Sequence, residues 1–226
     1  MTPLIFSAWM GPGEMTPNRE AALLSLVRNT ACPHAHVTRE TVNDWIDPQF
    51  PLHPIFPYLS AVHQCDYLRC YLQHVHGGGY ADIKHTRKNW RPFFALLEAS
   101  PSYGLGYTEV GPHGIARVGG TLEQEMQTNY HKIVGVCAMI FRPRTRFTTE
   151  WFARLNQLLD TKLEATLRNP ARHPQDRLGA KFTDGSISAY PFAWTEVGGD
   201  IFHPLAYEHS PHILHTDIAP SFDNYR

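Results

Sequence analysis

Charged and aromatic side chains cluster in one short part of the sequence, at spacings that would bring them together in a folded chain. Asp66 and Arg69 lie one turn apart on a predicted helix, at the edge of its apolar stripe. Tyr80, Asp82 and Lys84 alternate along a predicted strand and therefore share one of its faces. An acid and a base that project together from the end of a strand suit the binding of a diphosphate and a metal ion.

Each of these pairs also has a structural interpretation. Asp66 and Arg69 could form an ion pair that shields the edge of the helix and stabilises it by roughly a few tenths of a kcal/mol. Asp82 and Lys84 could form a charged rung on a surface strand. Because the two pairs lie close together in the sequence, we favour the interpretation in which both face a common polar ligand.

Three glycines, Gly77, Gly78 and Gly79, separate the helix from the strand, and their order disfavours the common phosphate-binding loops. A dinucleotide-binding fingerprint requires a strand, then glycines, then a helix, whereas here the helix comes first. The Walker pattern GxxxxGKS/T does not occur in the sequence. The glycines are therefore expected to end the helix and to let a ligand approach the backbone.

Apolar periodicity predicts the elements that position these residues. Residues 3–9 form a compact apolar run that predicts a buried strand, and Thr16 and Pro17 cap and begin a helix. The clearest helix covers residues 59–76, and a second long amphipathic helix covers residues 148–167. Shorter strands are predicted at residues 35–42, 80–84, 104–110 and 132–143, and a shorter helix at residues 91–99.

This alternation of strands and helices predicts an α/β fold, with a central, mostly parallel mixed sheet flanked by helices. The length of 226 residues suits one domain over residues 1–226, and the hydrophobic content of 42% is enough for a substantial core. The last part of the chain, residues 170–226, contains scattered aromatic residues and histidines and is predicted to be rich in loops.

Composition limits the classes of partner. The formal charge is −1 and the sequence has no run of lysines and arginines, which disfavours a nucleic-acid partner. The four cysteines match no zinc or redox spacing, which favours a reducing cytoplasm. No stretch is apolar and long enough to cross a bilayer, and the N-terminal residues do not resemble a signal peptide.

A resemblance to a known family rests on the segment "DYLRCYLQHVHGGGYADIK". It resembles the corresponding segment of glycosyltransferases with a DXD sugar-binding region, which have D-x-x-R, a helix, G-G-x-Y and then D-x-D. The order of other segments is similar as well, and the resemblance covers nearly the whole chain. These segments are "IFSAWMG", "HPIFPYLSAVHQCDYLR", "GYTEVG", "AMIFRPRT" and "WTEVGGDIFHPL". The chain is most similar to small capsular-polysaccharide and viral glycosyltransferases, and its spacing is also like that of the large clostridial glucosylating toxins.

The resemblance implies a GT-A-like, Rossmann-type sandwich that transfers a sugar from a UDP- or GDP-linked donor to a glycan or lipid-linked acceptor. In such an enzyme Trp9 would stack on the nucleotide base, although a core tryptophan is the open alternative. Asp66 and Arg69 would hold sugar hydroxyls and the diphosphate, and Tyr80 would contact the donor. A lipid-linked acceptor would add peripheral membrane contact to the cytoplasmic location expected above.

The same resemblance implies a divalent metal, Mn²⁺ or Mg²⁺, held by Asp82, with His203 as a further ligand. This sequence departs from the family pattern at Lys84, where the second aspartate of the motif is expected, so the metal requirement is in doubt. We expect Lys84 itself to neutralise the departing diphosphate.

Acceptor activation needs a general base, and the chain offers Glu109, Glu196 and Asp200. Glu196 lies two residues after Trp194, whose aromatic face suits a sugar ring, and we expect it to be catalytic together with Asp82 and Lys84. A surface acid is the structural alternative for Glu196.

Two other functions stay open. A catalytically silent module that binds nucleotide-sugars would explain the loss of the second aspartate. A histidine-rich, metal-dependent hydrolase is the weaker alternative, because the sequence has 14 histidines but no HExxH or comparable motif.

Overall fold

A computed structural model describes residues 1–223, and these residues form a six-stranded sheet flanked by helices. The strands are β1 (Ile5–Trp9), β2 (His34–Thr38), β3 (Gly78–Ala81), β4 (Gly104–Thr108), β5 (Val134–Phe141) and β6 (Ile213–Thr216). The helices are α1 (Pro17–Asn29), α2 (Ala61–Val75), α3 (Arg91–Glu98), α4 (Gly120–Thr128), α5 (Arg146–Thr161), α6 (Leu163–Arg168) and α7 (Gly199–Glu208).

The sheet has the strand order β2-β1-β3-β5-β4-β6, and only β5 runs against the others. From β1 the chain crosses through α1 to β2 on one side, and then through α2 to β3 on the other side of β1. The connections therefore change direction beside β1, and in open α/β sheets ligands bind at the carboxyl ends of the strands at such a point. The predicted α/β fold with a mostly parallel mixed sheet is confirmed.

Two apolar clusters cover the two faces of the sheet, as the alternation of side chains along the strands requires. One cluster joins α1 and α3 to the sheet and includes Ile5, Leu26, Trp90, Leu105 and Ile140. The other joins α2, α5 and α7 and includes Phe6, Leu68, Met139, Trp151 and Phe202. Each fully buried large side chain contributes about 1.5–3 kcal/mol to the free energy of unfolding.

The strand after the glycines begins earlier than predicted, at Gly78 instead of Tyr80. Gly79 donates its backbone N–H to the carbonyl of Leu4 over 2.8 Å, so the glycines themselves pair with the chain before β1. A Cβ on Gly78 would lie 2.7 Å from the Leu4 oxygen, which explains why the close approach needs glycine. Asp82 therefore follows the strand instead of lying on it, and the predicted strand over residues 80–84 is corrected.

The predicted helix over residues 148–167 is divided in the structure into α5 and α6 at Lys162. The amide of Lys162 bonds back to Leu159, and its side chain donates to the carbonyl of Pro191 over 2.8 Å. This turn carries Leu167 out of the apolar stripe, and its side chain is exposed.

The C-terminal part is less irregular than predicted, because residues 170–226 contain α7 and β6. Pro204 lies inside α7 and two glycines precede or begin it, so the local sequence resembles a loop. Helix α4 was also not predicted, since Gly119 and Gly120 stand at its start. Within residues 1–223, no helix is long and apolar enough to span a membrane.

Candidate functional site

Four charged side chains meet at the carboxyl ends of β1 and β3, and we call them the Asp82 network: Asp66, Arg69, Asp82 and Lys84. Arg69 donates from Nη1 to Asp66 over 2.6 Å and from Nη2 to Oδ1 of Asp82 over 2.8 Å. Lys84 donates from Nζ to Oδ2 of Asp82 over 2.8 Å. All four side chains are at most 20% exposed. The structure thus brings together residues that the sequence placed on two separate elements.

Asp82 and Lys84 hold each other in the ionised state. Burial alone would raise the pKa of Asp82, but Lys84 and then Arg69 outweigh burial and hold that pKa well below its usual range. Burial alone would lower the pKa of Lys84, but Asp82 reverses this and raises it above the ordinary value for lysine. At neutral pH the network therefore contains a buried carboxylate between two cations.

Two further residues, Tyr80 and Cys137, contact the cations of the network. The guanidinium of Arg69 lies 5.0 Å from the ring centroid of Tyr80, which is a cation–π contact. Lys84 also donates to the sulfur of Cys137 on β5 over 2.8 Å, and burial raises the pKa of the Cys137 thiol to about 11. Tyr80, predicted to contact a donor, is buried in this arrangement and positions Arg69.

Trp9 ends β1 at the same edge of the sheet. Its indole Nε1 donates to the carbonyl of Gly13 over 3.1 Å, and a Cβ on Gly11 would lie 3.2 Å from the indole ring. The loop after β1 therefore fixes the ring and leaves it partly exposed. The neighbouring Ala8 carbonyl accepts from the thiol of Cys65 on α2 over 3.6 Å, which joins the end of β1 to the helix that carries Asp66.

The start of α7 lies against the network. A Cβ on Gly198 would lie 3.2–3.3 Å from the carboxylate atoms of Asp66, so only glycine leaves this carboxylate undisturbed. Asp200 follows in the first turn of α7, and burial raises its pKa above the ordinary range. Among residues 1–223, neither Oδ1 of Asp200 nor Nε of Arg69 has a hydrogen-bond partner, although both atoms are buried. Buried polar atoms without partners are expected where a ligand supplies the missing contact.

The other two candidate bases have partners in the protein. The backbone N–H of Ala116 donates to Nδ1 of His203 over 2.9 Å, so a neutral ring carries its proton on Nε2, 3.5 Å from Oε2 of Glu109. The other oxygen of Glu109 accepts from the amide of Val110 over 2.8 Å. Both His203 and Glu109 are buried.

Glu196 is likewise paired on both oxygens. One oxygen forms an ion pair with Lys162, and the other accepts from the amide of Ala193 over 2.8 Å. Its carboxylate thus connects the turn before α7 to the break between α5 and α6. Asp200, in contrast to Glu196, retains an oxygen without a partner in residues 1–223.

A divalent ion shared by Asp82 and His203 does not fit the side chains in this arrangement. Both oxygens of Asp82 accept hydrogen bonds from cations, and Nδ1 of His203 accepts from a backbone amide. Nε2 of His203 lies 3.5 Å from Oε2 of Glu109 and has no hydrogen-bond partner among the described residues. Within the part of the chain that the structure describes, one group of three side chains that could hold a metal lies elsewhere: Glu150, Glu208 and His209. The metal requirement stays a prediction.

A segment near the C-terminus crosses the network, which the sequence did not indicate. The amide of Ser221 donates to the carbonyl of His85 over 2.8 Å. The ring of Phe222 then lies 5.3 Å from Nζ of Lys84 and 6.0 Å from the ring of Tyr107. Such long-range contacts leave no local signal in a loop sequence.

An open cleft of about 480 Å³ lies at the opposite edge of the sheet, lined by residues that include Leu4, Phe6, Trp45, His76 and Pro143. This edge holds the amino ends of β1 and β3, away from the Asp82 network. The candidate site is therefore identified by its paired charges and does not coincide with this cleft.

No protein-family model and no curated protein matches this chain. The resemblance to glycosyltransferases therefore stays a prediction from the motifs of the sequence.

Proposed function

We propose that this chain is a GT-A-type glycosyltransferase that transfers a sugar from a UDP- or GDP-linked donor to a glycan or lipid-linked acceptor. The observation that carries the proposal is the Asp82 network, which lies at the carboxyl ends of β1 and β3 beside the point where the sheet reverses its connections. Two acidic and two basic side chains lie together there, and they can bind both the hydroxyls and the phosphates of a nucleotide-sugar.

Arg69 and Asp66 are assigned to the sugar and the diphosphate. The guanidinium of Arg69 is fixed by two carboxylates and by Tyr80, so its unpartnered Nε–H is held in one direction for a donor oxygen. Trp9 is assigned to the nucleotide base, because its partly exposed ring is held rigidly at the end of β1.

Lys84 is assigned to the leaving group. Cleavage of the bond between the sugar and the diphosphate leaves negative charge on the departing phosphate oxygens. An ammonium group held beside Asp82 can stabilise that charge, because hydrogen bonds between charged groups are strong in a buried site. This assignment gives Lys84 the electrostatic role that a divalent cation has in other enzymes.

Asp200 is assigned to the general base, in place of Glu196. A base must have a free oxygen and a pKa closer to neutrality than that of an ordinary carboxyl. Asp200 has an unpartnered oxygen and a raised pKa, and it lies two residues after Gly198, where an added Cβ would meet the Asp66 carboxylate. Glu196 is then a positioning residue that holds the turn before α7.

A silent nucleotide-sugar-binding module is the second candidate, and one observation favours it. Both oxygens of Asp82 already accept hydrogen bonds from protein cations, which suits a carboxylate that holds Arg69 and Lys84 in place and takes no part in a reaction.

Release of UDP or GDP from UDP- and GDP-linked hexoses distinguishes the two candidates. The transferase is expected to release nucleotide slowly with water and faster with an oligosaccharide acceptor, and Lys84→Ala is expected to abolish release. A protein that binds the donor but releases no nucleotide with any sugar or acceptor would be the binding module.

A further inference from the structure

The chain between α6 and α7 forms a surface arm, residues 171–194, that is largely held by its own backbone. Leu178 and Ser188 donate their amides to the carbonyls of Phe192 and Ala180, each over 2.7 Å. An isolated bridge pairs Lys181 with Ile187 nearer the tip. The buried rings of Tyr190 and Phe192 anchor the end of the arm in the core. The arm is thus an ordered part of the fold with an outward surface of defined composition.

Three large apolar side chains of the arm face away from the protein. Leu178 is 57% exposed, Ile187 is 70% exposed and Trp194 is 44% exposed. Single exposed apolar residues are normal on protein surfaces, but several on one short segment mark an interaction surface. Burying these side chains against a partner would remove apolar surface from water and so stabilise the complex.

Cationic side chains lie beside these apolar residues. The guanidinium of Arg177 lies 5.4 Å from the ring centroid of Trp194. Lys181 is paired across the bridge with Ile187, so the two side chains emerge next to each other. Arg172 is also exposed and its guanidinium lies over the ring of Phe182 within the arm. Basic groups therefore lie beside two of the exposed apolar residues, Trp194 and Ile187.

The charge of the arm is opposite to that of the whole chain. Residues 171–194 contain three basic residues and two acidic ones, Asp176 and Asp184. Asp176 is buried and accepts from the amide of Arg172, so the exposed side chains carry three positive charges and one negative charge. The whole chain carries a formal charge of −1. A negatively charged partner with an apolar layer beneath its charges complements this surface.

We propose that the arm docks this protein on an anionic lipid surface. Trp194, Leu178 and Ile187 would enter the boundary between headgroups and acyl chains, where tryptophan is favoured. Arg177 and Lys181 would contact lipid phosphates while their aliphatic stems stay against the apolar residues. The proposal does not depend on the transferase activity, because vesicle binding requires no donor.

Cosedimentation of the full chain with vesicles tests the docking. We expect binding to phosphatidylcholine vesicles that contain phosphatidylglycerol and much weaker binding to pure phosphatidylcholine. The double variant Arg177→Gln/Lys181→Gln should weaken binding about 25-fold, since each basic residue near an anionic surface contributes about a factor of five. The double variant Leu178→Ser/Ile187→Ser should also lose most of the binding.

Matched changes elsewhere on the surface serve as controls. Leu24→Ser/Leu96→Ser removes two similarly exposed leucines from α1 and α3, and Arg28→Gln/Arg117→Gln removes two exposed arginines. Both control variants should bind vesicles like the unmodified chain, and all variants should keep its thermal unfolding midpoint.

Three results would overturn the docking surface. In the first, the folded chain fails to bind anionic vesicles. In the second, the arm variants and the control variants bind vesicles equally well. In the third, the chain is retained on RNA or heparin but does not bind vesicles. The last would indicate a soluble polyanion instead of a membrane.

Discussion

Lys84 donates from Nζ to Oδ2 of Asp82 over 2.8 Å, at the position where the D-x-D pattern would have its second aspartate. The ammonium thus occupies the carboxylate oxygen that a divalent ion would otherwise share. We predict that Lys84→Asp creates a paired carboxylate, so that stabilisation by nucleotide becomes dependent on Mn²⁺. In the unmodified chain the stabilisation should be nearly the same with and without Mn²⁺. Thermal unfolding with each nucleotide, with and without Mn²⁺, measures both.

The control for Lys84 is Lys88→Asp, which changes an exposed lysine that pairs with Asp217. This variant should behave like the unmodified chain. If Lys84→Ala leaves turnover intact while a chelator abolishes it, the assignment of Lys84 to the leaving group is wrong.

Arg69 bridges two carboxylates, which lysine cannot do in the same plane. Arg69→Ala leaves two buried carboxylates without their shared cation and should lower the free energy of unfolding by roughly 3–5 kcal/mol. Arg69→Lys should keep part of that stability but lose nucleotide binding. Urea denaturation measures the stability, and Arg154→Lys on the exposed pair with Glu208 should change it by less than about 1 kcal/mol. Nucleotide binding by Arg69→Lys at the unmodified affinity would argue against the bidentate role.

The depressed pKa of Asp82 makes part of the stability depend on pH. Because the folded pKa lies below the unfolded value, the unfolded state binds more protons, and the contribution is present above about pH 4 and is lost on further acidification. Asp82→Asn should therefore cost roughly 3 kcal/mol at neutral pH and progressively less below about pH 4. Urea denaturation of both proteins over this range measures the difference. A difference that stays constant down to about pH 2 would mean that Asp82 does not carry this charge.

At high pH the contribution of Lys84 to stability should be lost as the pH rises. The folded pKa of Lys84 lies above its unfolded value, so its contribution is complete below about pH 10 and is lost as pH rises through the folded pKa. The stability difference between the unmodified chain and Lys84→Met should be constant between neutral pH and about pH 9. A difference that already declines near pH 8 would contradict the ion pair.

A kinetic comparison of variants tests whether Asp200 or Glu196 is the general base. If Asp200 is the general base, Asp200→Asn should lower sugar transfer by about 10²- to 10⁴-fold and leave nucleotide binding unchanged. Glu196→Gln and Lys162→Ala break the same ion pair and should therefore have similar, smaller effects. If Glu196→Gln transfers sugar far more slowly than Lys162→Ala, and Asp200→Asn is nearly as active as the unmodified chain, Glu196 is the general base.

The parts of the fold with local signals could be predicted from the sequence. Thr16 and Pro17 begin α1 as expected, and the apolar stripe of α2 lies within the predicted range. The stripe also placed Asp66 and Arg69 together. Helix α7 could not be predicted, because Pro204 and the glycines at its start are stabilised only by packing against the rest of the protein.

The candidate site was predicted only in part for a similar reason. Asp82 and Lys84 were expected to act from one strand face, but they meet by means of a turn after β3. The contacts of Lys84 with Cys137 and Phe222 join residues far apart in the chain, and no spacing rule relates them. The pairing of Glu196 with Lys162 likewise depends on tertiary structure.

The central claim is that the Asp82 network binds a nucleotide, and a thermal-shift panel of UDP, GDP, dTDP and CMP tests it most directly. A ligand at about 100 times its dissociation constant stabilises the folded state by about 2.7 kcal/mol, which corresponds to an increase in the unfolding midpoint of roughly 5–10 °C for a chain of this length. The proposed function predicts this increase for UDP or GDP and its loss in Asp82→Ala and Arg69→Lys. A folded, unmodified chain whose midpoint no nucleotide raises, with or without Mn²⁺, would contradict it.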